Sequence, residues 1–327
     1  MTRVLVTGAG GQIGTELSAA LRERYGLDQV LVTDIRDPAD WASEGENGGR
    51  SAQLDCLDES AIEEAFASFR PNLVFHLAAI LSARGEHNPR KAYDVNVGSL
   101  LQVLDAAVRH EARVFVPSSI AAFGPETPGD PTPQRTIQRP KTMYGITKVC
   151  GELLCDYYHL RHGLDVRGLR FPGLISYTAP PGGGTTDYAV EIFHEALSHG
   201  HYTCFLTADT QLDMMYIDDA VRAAIELMEA PAEALRDRNG FNVTAMQFTP
   251  AELGSAIQDR IPGFTMDYDA DPMRQRIADS WPRRLDDSEA RSQWGWKPEY
   301  GIEEMVSTML EGLSGSATPP SKSGTKG

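Results

Sequence analysis

Through the first half of the chain, short runs of aliphatic and β-branched residues alternate with longer stretches of helical period. Arg3-Val4-Leu5-Val6-Thr7 stops at Gly8 and predicts a buried parallel strand. Ile13, Leu17 and Leu21 predict a helix over 12–25, ended by Gly26. The same alternation predicts strands at 30–34, 52–55, 73–77, 114–116 and 166–171, and helices at 59–69, 89–110 and 143–162. The polar, Gly-rich stretch 36–50 and the Pro-rich stretch 124–140 predict loops. Strands and helices alternating at this spacing predict an α/β fold, a doubly wound parallel sheet of Rossmann type. After Pro172 the pattern loosens, with helices expected at 186–198, 218–229, 249–261 and 302–313 and short strands near Tyr202, Asn242 and Thr265. The expected organisation is a main domain over 1–178 and a smaller α+β cap over 179–313, from which the chain can pass back to the first domain. Residues 314–327, without apolar anchors, read as a disordered tail, and Gly182-Gly183-Gly184 as a hinge.

Composition narrows the partners. Hydrophobic residues make up 41% and charged ones 23%, which fits a globular body. The net charge of −16 argues against nucleic acid, whose phosphates need a basic footprint. Apolar runs stay well short of the ~18 residues of a membrane span, and the first strand begins too early to leave room for a signal peptide. Cys56, Cys150, Cys155 and Cys204 form no Cys-x-x-Cys pair and read as reduced, buried thiols, so we expect a cytoplasmic protein. Two histidine groups, His159 with His162 and His194 with His199 and His201, lack the ligands that would complete a site, so no metal is expected.

Candidate chemistry begins at Gly8-Ala9-Gly10-Gly11-Gln12-Ile13-Gly14, between the first strand and the first helix. Glycines there allow a tight turn and close approach of backbone to a pyrophosphate, which the helix N-terminus attracts. Asp34 ends the second strand, where a carboxylate can accept hydrogen bonds from ribose hydroxyls and repel a 2′-phosphate. The cofactor expected is therefore NAD. Arg36 could receive such a phosphate, but Asp34 ranks above it by its place at the strand end. Asp55 ends the third expected strand, where it either meets the adenine amino group or caps a helix. Small residues in His76-Leu77-Ala78-Ala79 would let the dinucleotide cross the strand tips, while His76 itself reads as a core histidine. The pattern assigns to the cofactor site Gly8, Gly10, Gly11, Gln12, Ile13 and Gly14, Asp34, Ile35 and Arg36, Asp55 and Cys56, and Leu77, Ala78 and Ala79.

Tyr144-Gly145-Ile146-Thr147-Lys148 places a tyrosine and a lysine four apart, on one helical face. An ammonium held there favours the phenolate that a base needs. Ser118 and Ser119 follow a strand, and Tyr144 comes twenty-five residues after Ser119, beyond the Pro-rich loop. The glycine turn, the acidic strand end, the serine pair and Tyr-x-x-x-Lys together resemble the extended short-chain dehydrogenase/reductase family over the chain from about residue 3 to 313. That resemblance implies Tyr144 as general acid/base, Lys148 as ribose ligand and modulator of the tyrosine, and Ser119 as catalytic hydroxyl, with Asn96, Tyr144, Lys148 and Leu174 completing the cofactor site.

Four separated segments narrow the resemblance. They are His76-Leu77-Ala78-Ala79-Ile80-Leu81-Ser82-Ala83, Pro117-Ser118-Ser119-Ile120-Ala121, Pro181-Gly182-Gly183-Gly184-Thr185-Thr186-Asp187-Tyr188 and Ile277-Ala278-Asp279-Ser280-Trp281-Pro282. They are similar to the short-chain type of L-threonine 3-dehydrogenase, except at Arg283-Arg284, where a small polar residue is usual. The resemblance implies L-threonine as substrate, held by Ser82, Ser118, Ser119, Tyr144, Gly184, Thr185, Thr186, Asp187 and Trp281. Asp187 also reads as a plain helix N-terminal acid, and Trp281 as a core tryptophan. The nearest rival is a nucleotide-sugar epimerase or dehydratase, but Leu212 stands where those enzymes carry a diphosphate-binding arginine. A non-catalytic NAD(H) sensor would not need Ser119, Tyr144 and Lys148. A homodimer is expected, pairing helices 89–110 and 143–162 of two copies in a four-helix interface.

Overall fold

The computed structural model describes residues 1–42, 49–178 and 184–316. Gly182 and Gly183 of the expected hinge, and 317–327 of the expected tail, lie outside the described residues. The chain opens with β1 (Val4–Thr7), α1 (Gln12–Tyr25), β2 (Val30–Asp34), β3 (Arg50–Gln53), α2 (Glu59–Phe69) and β4 (Leu73–His76). It continues through α3 (Ser82–His87), α4 (Pro89–Tyr93), α5 (Ser99–Arg109), β5 (Arg113–Phe115), β6 (Ser118–Ser119), α6 (Met143–His162) and β7 (Val166–Arg167). The main sheet has the order β3-β2-β1-β4-β5-β7, and every pairing in it is parallel. Its order reverses between β1 and β4, so a crevice opens beyond their C-terminal ends, where such folds bind ligands. Side chains alternate across it. Val4, Val6, Phe75 and Phe115 enter one core, and Leu5, Val74, Val114 and Val166 the other.

The smaller layer carries β8 (Leu169–Phe171), β9 (Gly173–Ile175), α7 (Tyr188–His199), β10 (His201–Cys204), β11 (Leu212–Tyr216), α8 (Ile217–Glu229), β12 (Phe241–Asn242) and β13 (Met246–Phe248). It ends in α9 (Pro250–Gln258), β14 (Thr265–Tyr268), α10 (Pro272–Asp279), α11 (Ser288–Trp294) and α12 (Ile302–Ser316). Three small sheets, β10-β14, β13-β11-β9 and β12-β8-β6, complete it. The architecture is therefore a Rossmann-like parallel core with a smaller C-terminal cap.

Several boundaries differ from the sequence expectation, among them those of α7, which begins at Tyr188 rather than 186, and α9, which stops at Gln258 rather than 261. The third strand is Arg50–Gln53, not 52–55; it is an outer strand of mostly exposed residues, so pairing with β2 rather than burial sets its place. The helix expected over 89–110 is broken by a π-turn at Asp94–Gly98 between α4 and α5. The strand expected over 166–171 divides at Gly168. There β7 stays in the main sheet while β8 joins β6 and β12, and an added Cβ would lie 2.4 Å from the Val116 carbonyl oxygen. The final helix runs past 313 to Ser316.

Candidate active site

The glycine turn is close-packed as the sequence requires. Gly8 has a φ of +70°, and an added Cβ would stand 2.7 Å from the Ala78 nitrogen. At Gly14 an added Cβ would stand 2.5 Å from the Gly8 oxygen and 2.6 Å from the Ala9 Cα. Gly11 precedes α1 without a side-chain cap, so the first N–H groups of the helix are left for an anion. Ile13 packs on the core, and the Gln12 amide donates to the Leu174 carbonyl at 3.5 Å, bringing α1 to β9. Asp34 accepts from the Gly10 nitrogen at 3.1 Å and from the Arg36 Nε at 3.0 Å, while the Arg36 Nη2 donates to the Gly10 carbonyl at 2.7 Å. Burial works to raise the Asp34 carboxyl, but Arg36 and the Gly10 N–H outweigh it and hold it below its ordinary value. Ile35, 62% exposed, stands beside this pair.

Other predicted cofactor residues divide by position. Leu77, Ala78 and Ala79 follow β4 and sit half-buried against the turn, with Ala78 behind Gly8. Asp55 is exposed and accepts from the Leu57 nitrogen at 2.9 Å, while Asp58 caps α2. Cys56 is buried, and burial pushes its thiol up to about 12. His76 meets Thr7 at 2.8 Å and Ser99 at 3.2 Å, and burial pulls it down to about 3, so it is a neutral core histidine. Asn96 sits in the π-turn, which aims its amide at the Ile80 nitrogen (2.7 Å), the Ile80 carbonyl (3.1 Å) and the Thr147 hydroxyl (3.0 Å). It ties the loop after β4 to α6.

Helix α6 begins under tight control. Thr142 accepts from the Gly145 nitrogen at 3.1 Å, and Glu86 of α3 accepts from the Met143 nitrogen at 2.7 Å. Tyr144 comes next; burial pushes its phenol up to about 12, and the nearby Ser119 hydroxyl works the other way. The Lys148 Nζ lies 5.4 Å from the Tyr144 ring centroid and donates to the Pro117 carbonyl at 2.7 Å. Burial pulls it down to about 8, against the attraction of Glu152. The structure thus brings Ser119, Tyr144 and Lys148 together. It separates Ser118 from Ser119. Neighbours on a strand face opposite ways, and the Ser118 hydroxyl donates to Glu152 behind the strand. A cavity of about 20 Å³ runs from Leu77, Ala78 and Ala79 past Asn96 to Ser118, Lys148, Glu152 and Asn239, joining the strand tips to the lysine.

On the expected substrate side, Ser82 is buried at the start of α3, whose Gly85 lies against Tyr144. Thr185 is wholly buried, and its hydroxyl has no hydrogen-bond partner among the described residues. Thr186 packs against Gly173 of β9, next to Leu174. Asp187 accepts from the Gly184 nitrogen at 2.8 Å, so its carboxylate closes its own turn. Trp281 is 9% exposed and belongs to the larger core. The residues after it dock on the Pro-rich loop. Arg283 and Arg284 are exposed, and the Arg284 Nε donates to Asp130 at 2.8 Å. Sequence reasoning missed Glu152, Glu86, Gln138 and Arg170. Glu152 had a signal, since it lies one further turn along the face of Tyr144 and Lys148.

Among the described residues no group of three or more His, Cys, Asp or Glu is placed to hold a metal, and no helix is long and apolar enough to cross a membrane. A sequence model of the NAD dependent epimerase/dehydratase family matches residues 4–243. An uncharacterized epimerase/dehydratase of Staphylococcus haemolyticus is 50% identical over 313 residues, covering 96% of this chain and 98% of that protein. Among solved structures, L-threonine dehydrogenase from Clostridium difficile is 46% identical with a TM-score of 0.93, covering 98% of this chain and 99% of its own. The holo form of a GalE-like L-threonine dehydrogenase from Cupriavidus necator is 49% identical with a TM-score of 0.91, covering 95% and 99%.

Proposed function

Starting from a chain that belongs to the NAD dependent epimerase/dehydratase family, we propose that it is an L-threonine 3-dehydrogenase, oxidising the β-hydroxyl of L-threonine to L-2-amino-3-ketobutyrate. The observation that carries this reading is the likeness to solved L-threonine dehydrogenases, at 46–49% identity over nearly the whole chain. NAD fits the glycine turn, which packs too closely on its own backbone for a Cβ at Gly8 or Gly14, leaves the start of α1 without a side-chain cap, and has the Asp34 carboxylate at its rim. When bound there it supplies the hydride acceptor.

The chain's own residues do the rest. Tyr144, as phenolate, takes the proton from the threonine hydroxyl. Ser119 holds the same oxygen, and its hydroxyl near the phenol acts against the burial that raises it. The Lys148 ammonium, within reach of the Tyr144 ring, favours the phenolate. Ser82, Thr185 and Thr186 receive the amino acid's carboxylate, and the unpartnered, buried Thr185 hydroxyl supports that part. Gly184 and Asp187 shape the turn that presents these hydroxyls. Trp281 closes the apolar side from within the core. A nucleotide sugar is disfavoured, because Leu212 is buried in β11 and offers no charge to a diphosphate. The same reading takes the protein as a cytoplasmic homodimer through helices 89–110 and 143–162.

The test is reduction of NAD by the purified protein with L-threonine, beside a UDP-sugar. NADH is expected with threonine and is lost in Tyr144→Phe, by ~10²-fold or more, with NAD binding retained. Turnover of the UDP-sugar and silence with threonine would overturn the reading.

A further inference from the structure

We propose that Glu152 is a positioning residue for the candidate reaction: its carboxylate locks the catalytic helix to the strand that carries Ser119 and holds the Lys148 ammonium in place. This rests on the reading of the site as an L-threonine 3-dehydrogenase.

Three chain segments around the candidate site meet at this one side chain. From β6, the Ser118 hydroxyl donates to Glu152 Oε1, one residue before Ser119. From the Pro-rich loop that leads into Tyr144, the Gln138 Nε2 donates to Oε2 at 2.8 Å. From β8, the Arg170 Nε donates to Oε1 at 2.8 Å and its Nη2 to Oε2 at 2.7 Å, a paired contact of the stronger kind. Arg170 is itself fixed by the Gln134 carbonyl at 2.9 Å and Asn242 at 3.2 Å. Glu152 lies on α6, four residues past Lys148 and eight past Tyr144. A shift of this carboxylate therefore moves helix, strand and loop relative to one another. The Lys148 contact with the Pro117 carbonyl runs parallel to it, so Pro117-Ser118-Ser119 is held to α6 at two successive residues.

The charge has a second consequence. Lys148 and Glu152 line the same small cavity, whose other walls offer the ammonium the Pro117 carbonyl but no further charge. From β4, His76 is neutral; Asn96, Thr147, Ser118 and Asn239 are uncharged, and Cys155 on the same helix is held as a thiol by burial. Arg170 lies outside that lining, paired with Glu152. Burial works to raise the Glu152 carboxyl, but Arg170, Ser118 and Gln138 outweigh it and keep it ionised. That anion opposes the burial that draws Lys148 down to about 8.

The experiment compares the full-length wild type with Glu152→Gln and with Glu152→Gln/Arg170→Met, since a lone buried guanidinium could unfold the single variant. Carbon-13 NMR of lysine-labelled protein reads the Lys148 titration without any turnover. The expected result in either folded variant is a downward shift of ~1 unit or more. With threonine, kcat falls ~10-fold or more while KM for NAD stays within about twofold, and the rising limb of kcat moves to higher pH. A purely structural role would be relieved in the double variant. A folded double variant whose Lys148 titration and pH profile match the wild type overturns the proposal. Should both variants unfold, Ser118→Ala removes a single contact of the same carboxylate. Reduced kcat with unchanged KM then supports the proposal, and unchanged kcat overturns it. Failure of the wild type to oxidise threonine would instead remove the proposed function, and the Lys148 titration would still decide the role of Glu152.

Discussion

Asp213 has no exposed surface, and burial pushes its carboxyl up to about 7, against hydrogen bonds from Thr244 (2.6 Å), Gln247 (3.1 Å) and the Leu285 nitrogen (2.7 Å). In the unfolded chain it titrates at ~3.9. Between these values the native protein holds the extra proton, so stability is greatest below the window and falls as pH rises through it. Denaturation between pH ~4 and ~8 should show that fall, and Asp213→Asn should flatten it; an unchanged slope would contradict the assignment. Since Leu285 follows Trp281 in the segment docked on the Pro-rich loop, the same acid anchors one wall of the proposed pocket. Tyr144 runs the same way in activity. Burial raises its phenol, so the proposed base is better filled with protons at neutral pH, and oxidation should quicken as pH rises. At this scale the sequence told least about direction. Ser118 and Ser119 are adjacent in it, but their hydroxyls serve opposite sides of β6, and the partners that decide this, Glu152 and Tyr144, lie far along the chain.

At the scale of elements, α6 is the part on which the candidate chemistry hangs, and Gly145 sets how close it comes. An added Cβ there would stand 2.2 Å from the Ala121 carbonyl and 2.6 Å from the Pro140 Cβ. Gly145→Ala should push the helix away from the Ser119 turn, costing ~1–3 kcal/mol of stability and lowering kcat more than NAD affinity. Denaturation and steady-state kinetics check this, and unaltered values for both would show that the contact yields freely. Three helices with chemical punctuation, α1, α2 and α6, were legible to the residue. Asp58 and Thr142 cap α2 and α6, and Gly26 and Gly163 stop α1 and α6. The π-turn was hidden, because one widened turn leaves the apolar spacing of 89–110 nearly intact. β11 was missed for another reason: both its faces are buried, so it lacks alternation, and an aspartate interrupts its apolar run. α3, α10 and α11 are too short to show a period.

For the whole molecule, the glycine turn and Tyr-x-x-x-Lys were readable because each is local, whereas the cap's packing depends on contacts between distant segments such as Thr132 with Leu285. The proposed homodimer belongs to this scale. Along α6, Ile146, Leu153, Tyr157 and Leu160 are exposed, Leu160 by 84%, and they follow helical spacing. An apolar stripe of this kind on a chain of net charge −16 fits a partner surface of the same chain. Light scattering should report a dimer, and Leu153→Glu with Leu160→Glu should give folded monomers; a monomeric wild type at micromolar concentration would contradict the dimer. The central claim is that hydride leaves the β-carbon of threonine. Threonine carrying deuterium on that carbon tests it most directly, with mass spectrometry of the reduced cofactor as the readout. Deuterated NADH and a ketone product without the label are expected; NADH free of deuterium, or none formed, would rule out this hydride transfer.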